Sequence, residues 1–142
     1  MPWPSPSTCA AMAEAGAAQA GAAAAFELHP EPPFRLDLAV RALRRQAHNA
    51  LDRWDGTAYG RAMALAKGPV DVQVRATASP DAPRLAVTLA GPAAAEPPVR
   101  REVERQLRRL LGLDAAFGDF YARAADDPEL GPLARRFRGM RP

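Results

Sequence analysis

Two stretches decide the fold: Val70-Asp71-Val72-Gln73-Val74-Arg75 and, after the connection Ser79-Pro80-Asp81-Ala82-Pro83, Leu85-Ala86-Val87-Thr88-Leu89. Alternation with a period of two marks strands that bury one face and leave the other in water, so the pair reads as a β-hairpin. Upstream, Asp55-Gly56 and Lys67-Gly68 fall between apolar-containing runs at 48–54 and 58–66. Asp-Gly suits a tight hairpin turn because glycine accepts positive φ. The four runs predict an antiparallel meander, apolar on one face and carrying Asp71, Gln73, Arg75 and Thr88 on the other, so helices need cover only one side.

Working outward from the meander, Phe26–His29 predicts a short first strand, ended by Pro30, Pro32 and Pro33, which lack donors and restrict the residues before them. Leu36, Val40, Leu43 and Ala47 recur at helical spacing, with Asp37 expected to cap the first turn. Beyond Gly91, Val99, Val103, Leu107, Leu110 and Leu111 form an apolar helical stripe flanked by Arg100, Arg101, Arg105, Arg108 and Arg109. A second helix is expected to open at Asp114 and carry Phe117, Phe120 and Tyr121. A third is announced by Asp127-Pro128-Glu129, with Asp as cap and Pro at the first helical position; it presents Leu130, Leu133 and Phe137 on one face. The predicted order is strand, helix, four strands, three helices: an α+β domain over residues 26–142. Residues 1–25, a Pro/Ser start followed by an Ala/Gly tract, predict a disordered tail, whose removal is expected to leave the unfolding midpoint nearly unchanged.

Composition bounds the function. Of 142 residues 33 are alanine, leaving core enough for one small domain. No apolar run reaches the roughly 20 residues a spanning helix needs, and the Ala-rich start has neither the basic residues nor the uninterrupted apolar segment of a signal peptide. A soluble protein with no membrane partner is expected. The single Cys9, with His29 and His48 as the only histidines, gives no internal disulfide, no metal-ligand spacing and a cytoplasmic reading. No nucleophile elbow, Gly-rich phosphate loop or H-E-x-x-H occurs, and no cofactor is implied. Asp126-Asp127 reads as a helix start, and His48 as a strand residue with nothing to activate. The net charge of +3 is a weak lead towards phosphate. Glu102 and Glu104 interleave with the arginines of the 99–111 helix, so that face reads as salt-bridged surface first and as a DNA contact second.

Taken together, Glu31-Pro32-Pro33-Phe34, the helix end Leu43-Arg44-Arg45, Asp52-Arg53-Trp54-Asp55-Gly56, Gly68-Pro69-Val70 and the closing Asp127-Pro128 to Phe137-Arg138-Gly139-Met140-Arg141-Pro142 resemble the amino-terminal domain of the DNA-3-methyladenine glycosylase II family. The resemblance covers residues 26–142. It implies a fold like half of a TATA-binding protein, a curved antiparallel sheet of four to five strands with helices on one face. It also implies a truncated repair glycosylase: the helix-hairpin-helix catalytic domain, with its aspartate, follows the phrase equivalent to Phe137–Pro142, so no catalytic residue carries over and the chain alone is expected to be inactive. In the family an aromatic residue and then an arginine at the end of the first helix border the base pocket; these positions fall on Ala42 and on Gln46 or, with a one-residue slip, Arg45. The partners implied are double-stranded DNA and the missing catalytic domain, with Arg45, Arg101, Arg105 and Arg108 as candidate DNA contacts. The alternative is a non-catalytic module that binds nucleic acid or protein.

Overall fold

The computed structural model describes residues 23–141; the tail expected over residues 1–25 lies, up to Ala22, outside them. The elements are β1 (Ala23–Leu28), α1 (Leu36–Leu43), β2 (Arg53–Trp54), β3 (Ala58–Leu65), β4 (Gly68–Ala76), β5 (Leu85–Ala90), α2 (Pro97–Leu111), α3 (Gly118–Ala125) and α4 (Leu130–Arg136). The strands form one antiparallel sheet in the order β1-β5-β4-β3-β2. The expected meander is present, and β1 returns to its free edge beside β5. β1 begins at Ala23, three residues before the boundary read from the sequence, because Ala23, Ala24 and Ala25 continue the ladder opposite Ala90, Leu89 and Thr88. Backbone pairing needs no large side chain, so an alanine run gives little sign of it.

Register explains the core. Val72 lies opposite Leu89 and Val74 opposite Val87, so the valines of β4 and the leucines and valine of β5 project from the same face. With Phe26, Leu28, Tyr59 and Met63 they meet Leu36, Ala39 and Val40 of α1 and Val99, Val103, Leu107 and Leu111 of α2 in one buried cluster. On the other face Gln73, Arg75 and Thr88 are exposed and Asp71 is half-buried, as the alternation predicts. Among the described residues no helix is long and apolar enough to cross a membrane.

Four local expectations are corrected. Asp37 does not cap α1: Arg35 is the N-cap, without a side-chain bond, and Asp37 pairs with the Arg35 guanidinium. Ala47 and His48 are in neither helix nor strand. α1 stops at Leu43, whose carbonyl accepts from Asn49 Nδ2, while Asn49 Oδ1 accepts from the amides of Leu51 and Asp52. These bonds hold a turn, leave His48 exposed and shorten the expected 48–54 strand to Arg53–Trp54. The second carboxy-terminal helix opens at Gly118 instead of Asp114. Leu113 is fully buried, its amide donates to Arg108 O and its carbonyl accepts from Glu31 N at 2.7 Å, so the chain after α2 is tied to the β1–α1 connection before it turns into the next helix. Asp127 Oδ1 accepts from the amides of Glu129 and Leu130, both at 2.8 Å, as a capping carboxylate does, but α4 opens at Leu130 with Glu129 as its N-cap, so Pro128 precedes the helix and does not occupy its first position.

Candidate functional site

Three surfaces contain the residues singled out in the sequence. The first is the outer face of α2, where Arg101, Arg105 and Arg108 line an open depression with Arg109, Glu104 and Asp114. Helical spacing brings them together, and the same spacing brings their neutralising partners. Arg105 pairs with Glu102, and Arg108 donates to Glu104 at 3.2 Å and to Asp114 at 2.6 Å. The Glu102 carboxyl is held below the ordinary carboxylate range, first by a hydrogen bond from Gln106 and then by Arg105. Arg101 has no carboxylate within ion-pair distance among the described residues.

Arg45 is elsewhere. It lines a cavity of about 150 Å³ with Ala42 and Gln46 from the α1 end, Leu110 and Leu111 of α2, and Arg141. Arg141 is the last residue but one of the sequence and only 2% exposed. It acts as a clasp: Nε donates to Gly112 O at 3.0 Å and Nη2 to Glu31 O at 2.7 Å, with the guanidinium over the rings of Phe117 and Phe34. Gly139 makes the approach to this clasp. Its φ is +86°, and a Cβ there would sit 2.9 Å from Arg35 N, so only glycine fits the turn without displacement.

The third surface is apolar. α3 and α4 pack on each other, burying Ala124, yet neither helix contributes to the central cluster. Phe117, Phe120, Tyr121, Leu130, Leu133, Ala134, Phe137 and Met140 line a groove of about 360 Å³. Leu133 is 52% exposed, and Leu130 and Phe120 are 49% exposed. No element among the described residues covers these side chains.

One constellation escaped the sequence reading. Asp52 is buried at the join of the α1 turn and β3, accepting from Tyr59 Oη and Arg61 Nη1, each at 2.7 Å, and from Asn49 Nδ2 at 2.7 Å. Burial pushes its carboxyl up, but the bonds from Tyr59, Asn49 and Arg61 together outweigh this and the net shift is downward. Both of its oxygens accept from structural donors, so it braces the fold and is not poised for proton transfer. The inward parity of Arg61 within β3 was the available signal, since a charged residue on a buried face requires a partner.

Residues 25–142 match the family model described as the AlkA N-terminal domain. The chain belongs to that family. The fold of this AlkA N-terminal domain is similar to that of a solved 3-methyladenine DNA-glycosylase from Archaeoglobus fulgidus, with a TM-score of 0.60 and 20% sequence identity. The match covers 80% of this chain and 36% of the Archaeoglobus one, so the AlkA N-terminal domain spans about a third of that protein. No curated protein matches the chain.

Proposed function

We propose that residues 26–142 are the non-catalytic amino-terminal domain of a base-excision-repair glycosylase, a cytoplasmic enzyme that flips an alkylated purine such as 3-methyladenine out of double-stranded DNA and hydrolyses its N-glycosidic bond. The observation that carries this reading is the family match over residues 25–142. In this reading the domain is a scaffold, and a helix-hairpin-helix catalytic domain docks on the α3–α4 groove. The exposure of Leu130, Leu133 and Phe137, all on one face, supports that docking. The catalytic aspartate belongs to the docked domain. Direct contact of this domain with DNA through Arg45, Arg101, Arg105 and Arg108 is weak and independent of sequence. The carboxylates already bound to Arg105 and Arg108 support this, because phosphate must displace them, and phosphate contacts carry no base information.

Release of free base from alkylated duplex DNA tests the reading. The 142-residue chain alone is expected to release none above a mock preparation, and the same chain joined to a family catalytic domain is expected to be active. Hydrogen exchange then locates the docking: amides of residues 129–138 are expected to gain protection when the catalytic domain is present. Base release by the chain alone contradicts the scaffold role, and equal protection in both proteins contradicts the docking site.

A further inference from the structure

Where α1 meets the β2 edge of the sheet, Arg41 and Arg44 line an open pocket of about 470 Å³ with Trp54, Leu38, Val40 and Asp37. The spacing of three puts the two arginines on one side of the helix. β2 is the edge strand, and Trp54 lies opposite the fully buried Tyr59, so its side chain projects to the helix side of the sheet with no further strand beyond it. The indole is half-buried: it packs against the core cluster and also forms part of the pocket wall. Guanidinium groups lie over Phe26, Phe34, Phe117, Tyr121 and Phe137, yet among the described residues none lies over Trp54. Arg41 and Arg44 are exposed, and neither has a carboxylate within ion-pair distance among the described residues. Asp37, the one acid of the lining, is held by both Nε and Nη2 of Arg35, which offsets its repulsion of an anion. Carbonyls of the helix end that would also repel one are occupied: Val40 O accepts from Arg44 N, Ala42 O from Arg45 N and Leu43 O from Asn49 Nδ2.

We propose that this pocket binds one nucleotide unit, its base against the Trp54 indole and its phosphate between Arg41 and Arg44. The combination of groups selects the ligand class. An aromatic wall with no cation on it suits a base, which gains affinity by stacking on such a ring. Two guanidinium groups without carboxylate partners suit a phosphate, which each can meet with paired N–H donors. An acidic peptide uses the arginines and leaves the indole without a partner. The volume lies within the roughly 300–1,000 Å³ range of small-ligand pockets. The pocket shares no residue with the cavity of Ala42, Arg45 and Gln46, with the α2 face or with the α3–α4 groove, so it stands or falls apart from the glycosylase reading.

The test is a fluorescence titration of the full chain carrying Trp3→Phe, which leaves Trp54 as the sole tryptophan. The probes are deoxyadenosine monophosphate and, separately, deoxyadenosine, at constant ionic strength. The expected result is a saturable change in Trp54 emission with the monophosphate and affinity at least about tenfold weaker for the nucleoside. The deciding variant joins Arg41→Gln and Arg44→Gln; both side chains are exposed, so the fold is kept. In it the monophosphate is expected to fall to the affinity of the nucleoside, whose own affinity is unchanged, and Arg105→Gln is expected to bind as the parent chain does. A single-stranded oligodeoxyadenylate distinguishes the sources of the nucleotide. Affinity at least about tenfold above that of the monophosphate assigns the site to a strand, and a smaller gain or none assigns it to a free nucleotide. A linear response to the monophosphate overturns the proposal, as does equal affinity for monophosphate and nucleoside or an unchanged affinity in the double variant. Saturable binding of a glutamate-rich peptide as tight as that of the monophosphate also overturns it and gives the pocket to an acidic protein segment.

Discussion

The stripes of α2 and α4 look alike as sequence and end in opposite surroundings. Val99, Val103, Leu107 and Leu111 are at most 2% exposed, whereas Leu130 and Leu133 are 49% and 52% exposed. α2 meets a sheet whose inner face is apolar along β5, β4 and β3; α4 meets only the short α3. Periodicity therefore says which side of a helix is apolar and nothing about what covers it.

The largest break in the comparison is a pair of truncations. Leu107→Ala leaves a hole between helix and sheet and is expected to cost about 2–5 kcal/mol, read by urea unfolding. Leu133→Ala is expected to stay within about 0.5 kcal/mol in the same assay. If the two costs are similar, α4 is covered after all. Joined to a family catalytic domain, Leu133→Ala is expected to weaken the joined protein measurably.

The core half has a second, polar fastening. Asp52→Asn keeps the shape of the side chain but loses the charge that accepts from Tyr59 and Arg61, and is expected to cost about 1–3 kcal/mol at pH 7. The sign of its pH dependence follows from the downward shift of Asp52. The stabilisation is fully present above the unfolded value of about 3.9 and is lost as pH falls through the lower folded value. Unfolding curves collected from pH 5 to pH 2.5 are therefore expected to fall less steeply in Asp52→Asn than in the parent chain.

A smaller effect bears on β1. Deleting residues 1–25 removes half of a six-residue strand and is expected to cost about 1–2 kcal/mol from lost ladder bonds. An unchanged midpoint restores the boundary at Phe26. The smallest effect is expected on the outer face of α2. Replacing Arg101, Arg105 and Arg108 together by Gln is expected to change stability by less than about 0.5 kcal/mol while lowering any DNA binding uniformly across sequences. Gel-shift titrations on unrelated duplexes check this.

Legibility tracked how local each cause is. The β4–β5 hairpin, the α2 stripe, the Asp127 cap and the pairing of Glu102 and Glu104 with arginines are set within a few residues, and all could be read from the sequence. The shortening of β2 depends on Asn49 reaching back to Leu43 and forward to Asp52, a competition between side chain and ladder that alternation does not reveal. The burial of Arg141 depends on partners as distant in sequence as Glu31, so nothing near it in the sequence marks it as buried. The four arginines proposed for DNA divide for the same reason: Arg101, Arg105 and Arg108 share a helix face, while Arg45 sits where tertiary packing puts it.

The clasp between Arg141 and Glu31 spans 110 positions, and this has a consequence for the order of assembly on the ribosome. At ordinary synthesis speeds of about 5–20 residues per second, roughly 5–22 s separate the two partners. The hairpins β3–β4 and β4–β5 join neighbours in sequence and can form as they emerge, whereas β1, although it precedes them in the chain, must wait for β5 and then for the clasp. During that wait Phe26 and Leu28 lie uncovered on a strand with both edges open, a vulnerable state in a crowded cell. β1 is thus made before the other strands and secured after them, and slow passage through residues 29–84 lengthens the interval in which a chaperone or a protease reaches it before its partners do.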